Sequence, residues 1–477
     1  MTASIPWLAL LLMIPLAGAA ALGRTRDPAH ARVLGGVASG VVALGLLWLA
    51  LRVVAQGGGR IEDPTLTLGI FGTRPLLGFD ALSAVLALTN AIVSLAVIVG
   101  APRARDERPR IAAVLLTEAL VLIMLASLDL VVLSIAFVSL VLPARARLRG
   151  RREGPDPTRL HRVVFTAGLA PLVAGTVLAA TSGPGLLDPS ALDLRLVSEI
   201  SHPGASLVLG TLLLAVFFRM ALLPLHSWLP TMMQYGALGS TVLLVASQSG
   251  AYLLVRVAFG YFPGDAAQLA ACLTVCGVVS ALYASMLALV QDDLRRLIGW
   301  LSVSQAGIMI VGLCSLMPDG VAGAVVYWIS YGTAVTGLAL VTWAVQARTG
   351  TTRLSALGGL VRSAPRLTLS FAAFSVASVG FPGSLGFVAE DLMVHGVLEA
   401  HPWLGILMIV ATALNGIALV RALFRAFLGP TKVDAPADLR PRELAVHAGL
   451  AALVFGLGLW PAPLLEIVAL AAPSIHP

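Results

Sequence analysis

Apolar runs of about 20 residues, each long enough to cross a bilayer as a helix, recur along the whole 477-residue chain. In lipid no water bonds the backbone, so such runs fold as helices and pack as a bundle. We count about fourteen, at 5–23, 33–55, 80–100, 111–127, 129–144, 163–181, 205–224, 237–256, 267–290, 297–316, 320–346, 366–398, 403–424 and 443–469. Composition agrees, with 58% apolar and only 12% charged residues, where soluble domains carry about 25%. A soluble enzyme, a nucleic-acid binder and a disordered scaffold are thereby excluded. The first run lacks a basic leading segment and a second run follows directly, which predicts an anchor and not a cleaved signal peptide. Cys272, Cys276 and Cys314 are too few for a disulfide framework or a four-cysteine metal site, so no cofactor is expected. The Cys272/Cys276 pair is expected to pack in the core.

The basic residues predict the topology. If the runs alternate across the membrane, about 25 of the 31 basic residues fall on one face. They include Arg24, Arg26 and Arg32, the arginines of 103–110, 145–162 and 348–366, Arg295 and Arg296, and Arg421 through Arg442. The opposite face receives Arg52, Arg60, Arg74, Arg195 and Arg256, while Arg219 lies inside a run. Positive loops stay in the cytoplasm, so both termini are expected outside, in a bacterial cytoplasmic (inner) membrane. The loops 56–79, 145–162 and 182–204 are too short to fold alone, and 145–162 reads as a linker.

Charge at membrane depth is costly and marks functional candidates. These are Glu118, Arg219, the neighbours Glu390 and Asp391, and Glu466. Glu466 is expected at the external interface, and Asp129 as the N-cap of the fifth run. Arg219 stands shortly before Pro224, in Arg219-Met-Ala-Leu-Leu-Pro224-Leu-His226-Ser-Trp228-Leu-Pro230. A second break is predicted at Gly380-Phe-Pro382-Gly383-Ser-Leu-Gly386, just before Glu390-Asp391, with His395 beyond it. Two interrupted helices in separate halves point to an ion path. Two adjacent carboxylates cannot both ionise cheaply in a low dielectric, so one of Glu390 and Asp391 is expected to keep and relay a proton.

Four segments carry a family resemblance: Leu77-Gly78-Phe79-Asp80-Ala-Leu82-Ser83; Arg219 through Pro230; Asp292-Asp293-Leu-Arg295-Arg296 running on to Ser302-Val-Ser304-Gln305-Ala-Gly307; and Ala377 through Glu390. They resemble, in order, segments of the antiporter-like membrane subunits of respiratory complex I. Membrane arms of energy-converting hydrogenases and Mrp-type cation/proton antiporters belong to the same family. The resemblance covers most of 75–425. It implies an all-α membrane protein of fourteen transmembrane helices with helices 7 and 12 broken. The implied organisation is N-terminal helices in 1–110, a first five-helix repeat in 111–256, an inverted second repeat in 257–425 and a last helix in 426–477. Ending at 477, the chain is similar to the shorter subunits, without the long lateral helix of the largest.

In that family a glutamate in helix 5 faces a lysine in helix 7, and a central lysine stands in helix 8. By register these positions are Val138, Arg219 and Gln248, and the histidines that some members carry in helices 10 and 11 fall on Gln305 and Tyr331. The chain has a single lysine, Lys432, in a loop. Arginine does not release its proton on a useful timescale, so Arg219 is expected to act as a fixed charge. Three functions remain open. One is a subunit of a multisubunit complex that moves H+ or Na+ through a rewired relay of Glu118, Arg219, Gln248, Gln305, Tyr331, His226 and Glu390/Asp391. Another is the energy-coupling subunit of an inorganic-carbon uptake complex with a cytoplasmic zinc protein. The third is a conduction-dead scaffold. In each case the chain is not catalytic alone, and its partners are other membrane and peripheral subunits and the lipid.

Overall fold

The computed structural model describes residues 6–24, 28–65, 76–103, 106–140, 142–143, 169–179, 193–194, 205–260, 262–432 and 436–471. The linker 145–162 lies outside them. Helices make up most of the rest: α1 (Trp7–Arg24), α2 (Pro28–Ala55), α3 (Ala81–Gly100), α4 (Arg108–Ala126), α5 (Leu130–Ser139), α6 (Leu169–Ala179), α7 (Ala205–Met220), α8 (Trp228–Tyr235), α9 (Leu238–Ala246) and α10 (Ser249–Leu253). A π-helical turn, Leu254–Phe259, precedes α11 (Pro263–Leu289), α12 (Leu294–Cys314), α13 (Pro318–Thr349), α14 (Pro365–Ser378), α15 (Leu385–Ala400), α16 (Pro402–Ala426), α17 (Pro441–Leu459) and α18 (Ala462–Ala471). Two short strands, β1 (Ile61–Glu62) and β2 (Gly78–Phe79), pair antiparallel ahead of α3.

Local chemistry sets half of the helix starts. Asp80 caps α3 in a reciprocal box with Ser83, Asp129 caps α5 by accepting from the Val131 and Val132 amides, and Asp293 accepts from the Arg296 amide at the head of α12. A proline in the first two positions opens α4, α11, α13, α14, α16 and α17, where its missing N–H costs nothing.

Among the described residues ten helical segments are long and apolar enough to cross a membrane. Of the expected runs 129–144, 163–181 and 205–224 the described residues form the short helices α5, α6 and α7, and 366–398 is divided into α14 and α15. The breaks predicted around Pro224 and around Pro382 and Gly383 occur at 221–227 and 379–384. Two further interruptions were not foreseen: Gln248 divides α9 from α10, and Trp460-Pro461 divides α17 from α18. α12 and α13 are buried along their length and form the centre, while α1, α2, α16 and α17 turn most of their surface outward.

The arginine-bearing loops meet one another. Arg32 pairs with Glu107 at 2.6 Å, Arg442 donates to the Ala101 carbonyl, and Arg348 pairs with Glu443 at 2.5 Å. Arg421 donates to the Gln291 carbonyl and Lys432 to that of Ser355. Segments following α1, α3, α11, α13 and α16 therefore share one end of the bundle. Asp438 ties this end to the broken helix by accepting from the Arg366 and Leu367 amides, the first turn of α14.

Candidate functional site: buried polar clusters around two carboxyls

Glu118, on α4, is fully buried. Its Oε1 accepts from Ser39 Oγ at 2.9 Å, and its Oε2 is buried with no hydrogen-bond partner. The Ser39 hydroxyl also lies 3.4 Å from the Ala91 carbonyl of α3. Beside Ala91, Asn90 keeps both side-chain atoms unpartnered, as does the hydroxyl of Ser94 one turn on. Buried polar groups are normally satisfied, so this cluster asks for bridging water.

Arg219 ends α7 against the break in the eighth run. Its Nε donates to Ser249 Oγ at 2.5 Å, and its guanidinium carbon lies 5.5 Å from the Phe137 ring centroid. Phe137 immediately precedes Val138, so α5 and α7 meet near the positions where the family's glutamate and lysine are expected. Gln248 is buried in a left-handed conformation, φ 40° and ψ 44°. That conformation favours glycine and asparagine and is unusual for glutamine. It turns the chain so that the end of α9 lies on Gly332 of α13, where an added Cβ would stand 3.1 Å from the Ala246 carbonyl.

Tyr331 precedes Gly332 on α13 and is buried. Its hydroxyl donates to Ser302 Oγ of α12 at 2.8 Å, and its ring stacks on Tyr327 at 6.2 Å. One turn along α12, Gln305 Nε2 donates to the Ser378 carbonyl at 3.1 Å, leaving its Oε1 unpartnered. Asn415 of α16 donates to Ser304 Oγ at 2.8 Å. Ser378 is the last residue of α14. Two residues later Gly380, at φ +64°, leaves room for the Glu390 carboxyl: a Cβ on it would stand 2.6 Å from Glu390 Oε2. Glu390 Oε1 is buried without a partner.

The other sequence candidates lie elsewhere. Asp391 and His395 are exposed on the outer side of α15, so Glu390 and Asp391 do not face each other, as consecutive residues on a helix diverge by about 100°. His226, in the turn after α7, packs on Tyr283 and Trp300 at ring separations of 5.2 and 5.5 Å. Glu118 and Arg219 belong to separate clusters. Glu466 is exposed on α18, and Cys272 faces outward instead of into the core.

One charged pair escaped the sequence argument. Arg256, on the π-helical turn, donates from NH2 to both carboxylate oxygens of Asp80, with its guanidinium 5.4 Å from the Tyr252 ring. Both side chains are nearly buried, at 11% and 10% exposure. Asp80 stands just before α3. Burial would raise its carboxyl, but the charge and hydrogen bonds of Arg256, with help from Ser83, hold it down at about 2. The signal was present as Asp80-x-x-Ser83, a capping box. Its arginine partner lies 176 residues away and carries no local mark. Arg60, Ser127 and Tyr252 line a small cavity beside the pair.

A model of the NADH:quinone oxidoreductase/Mrp antiporter transmembrane family matches residues 165–415. NADH-quinone oxidoreductase subunit M of Pseudomonas aeruginosa is 31% identical over 323 residues, 66% of this chain and 62% of that protein. Subunit M of Mycobacterium tuberculosis is 26% identical over 98% of this chain and 93% of its own length. In respiratory complex I from Thermus thermophilus, solved with bound NADH, one chain superposes with a TM-score of 0.87 at 27% identity, covering 98% of this chain and 99% of that one. The family match spans more than half of the sequence and takes in Arg219, Gln248, Gln305, Tyr331 and Glu390, and the chain belongs to the NADH:quinone oxidoreductase/Mrp antiporter transmembrane family.

Proposed function

We propose that this chain is a proton-conducting membrane subunit of a multisubunit complex of the NADH-quinone oxidoreductase kind, working through a rewired relay and not catalytic alone. The observation that carries the reading is the pair of carboxyls on fully buried Glu118 and half-buried Glu390, each with one oxygen buried and unpartnered. The reading joins them through the buried polar groups Ser39, Asn90, Ser249, Gln248, Tyr331, Ser302 and Gln305. The carboxyls are the groups of this series able to gain and lose a proton. The amides and hydroxyls orient water between them. Arg219 holds a permanent charge at the centre, biasing the path without entering it. The carrier is taken as H+, because a carboxyl with a buried unpartnered oxygen can hold a proton there.

The same reading takes the bundle as fourteen spans, with α5, α6, α7–α8 and α14–α15 completing the ten long helical segments, and as two inverted repeats at 111–256 and 257–425. It places the arginine-rich end in the cytoplasm of a bacterium and both termini outside. The other chains of the complex supply the driving reaction.

The test uses the complex purified with its partners and reconstituted in proteoliposomes, with proton uptake followed by a pH-sensitive dye in the presence and absence of Na+. Glu118→Gln and Glu390→Gln are expected to lower uptake about tenfold or more, while the exposed Asp391→Asn leaves it unchanged. Full uptake in both glutamine variants would leave the scaffold reading standing, and Na+-dependent uptake would overturn the choice of ion.

A further inference from the structure

α17 carries two titratable side chains outside the relay. Glu443 and His447 stand one turn apart, each 2% exposed. Glu443 is fully engaged: Oε2 accepts from Arg348 NH2 at 2.5 Å and from the Arg440 amide at 3.1 Å, and Arg442 NH2 lies 3.8 Å from Oε1. Arg348 also donates to the carbonyls of Ala437 and Asp438, which fixes the head of α17 to the end of α13. His447 is different. Its Nδ1 is buried with no hydrogen-bond partner, and its ring meets the edge of Phe374 of α14 at 6.0 Å. The charged groups around it are Glu443 on its own helix and Arg348 from α13. A histidine kept only for packing would normally bond its ring nitrogens.

Beyond Phe374 a row of hydroxyls continues. Ser375 Oγ is buried and unpartnered. One turn on, the Ser378 hydroxyl donates to the Ser375 carbonyl, and the Ser378 carbonyl receives Gln305. Two residues later comes Gly380, with the Glu390 carboxyl against it. From Phe374 to Ser378, the end of α14, is about 6 Å of helix. α13 borders the same route. Its Gly337 admits the Phe374 ring, which would lie 2.4 Å from an added Cβ. Between Gly337 and Arg348 stands Thr342, fully buried with its hydroxyl unpartnered.

We propose that His447 opens a proton-access branch leading from the arginine-rich end of the bundle, past Phe374 and along Ser375 and Ser378, to Glu390. The branch rests on the reading of Glu390 as a proton-carrying group. Imidazole accepts a proton on one ring nitrogen and releases the other, ending neutral with its tautomer exchanged. Serine hydroxyls and intervening water pass the proton by the same exchange, and Glu390 gains it; no other bond changes. Glu443, one turn away, offsets the charge while His447 carries the proton. The Phe374 ring closes the branch until it swings aside.

The test is proton uptake by the reconstituted complex carrying His447→Phe, which keeps the aromatic packing, His447→Asn, Ser375→Ala or Thr342→Val. Uptake is expected to fall about tenfold in both histidine variants with the yield of assembled complex unchanged, and less steeply in Ser375→Ala and Thr342→Val. His447→Phe combined with Glu390→Gln should be no slower than Glu390→Gln alone, since both lie on one route. If Glu390→Gln is defective while all four branch variants conduct at full rate, the branch is overturned and the relay survives. If Glu390→Gln itself conducts normally, the relay fails and the branch with it. Should neither histidine variant assemble, Ser375→Ala and Thr342→Val decide, and full uptake in both overturns the branch.

Discussion

Asp80 and Arg256 show what one buried charge demands of another. Removing either partner leaves an ion without compensation, so Asp80→Asn or Arg256→Met is expected to cost about 3–5 kcal/mol. Replacing both by apolar residues of similar size should cost much less, because no orphan remains. Thermal unfolding of the purified complex in detergent checks both. The sign with pH follows from the depressed Asp80 carboxyl: its stabilisation is complete above the ordinary carboxylate range and is lost as pH falls toward about 2. Gln248 makes the complementary case for backbone strain. Its left-handed conformation suits glycine better, so Gln248→Gly should stabilise by about 0.5–1 kcal/mol. If the Gln248 amide orients water in the path, the same variant conducts protons more slowly although it melts higher.

At the scale of elements, the breaks decide where polar atoms reach the interior. Proline and glycine announced two of them, around Pro224 and Pro382, because each removes a donor or permits a conformation that helix residues avoid. The break at Gln248 had no such announcement, since glutamine is a good helix former. The two glycines of the 379–384 break are not equivalent. Gly380 needs a positive φ and also lies against Glu390, whereas at Gly383, φ +91°, the nearest atom to an added Cβ is Leu459 Cδ2 at 3.9 Å. Gly380→Ala and Gly383→Ala should each destabilise by about 1–2 kcal/mol through backbone strain. Gly380→Ala alone should also displace the carboxyl and lower proton uptake, which the proteoliposome assay separates from the loss in melting temperature.

At the scale of the whole molecule, the loops bearing most of the arginine are bonded to one another at one end, and the sparse charges Asp80 and Arg256 clamp the other. This division predicts accessibility. In a background with Cys272, Cys276 and Cys314 replaced by alanine, Thr431→Cys should react with a membrane-impermeant thiol reagent only in inverted vesicles. Trp460→Cys, at the opposite end and 70% exposed, should react only in right-side-out spheroplasts. The reverse pattern would overturn the orientation.

The sequence by itself determined that the chain lies in a membrane, where most of its spans fall, that its arginines gather on one side and that two helices break. Those properties depend on hydrophobic length, proline and glycine chemistry and the count of charges along the chain, all local quantities. Only the tertiary structure decided which polar groups meet. Glu118 meets Ser39 across 79 positions, Arg219 meets Ser249 across 30, and Asp80 meets Arg256 across 176. It also turned Asp391 outward while seating Glu390 against Gly380. Helices in lipid present similar apolar surfaces to many neighbours, so the partner of a buried polar atom is set by how the whole bundle closes and not by the residues beside it.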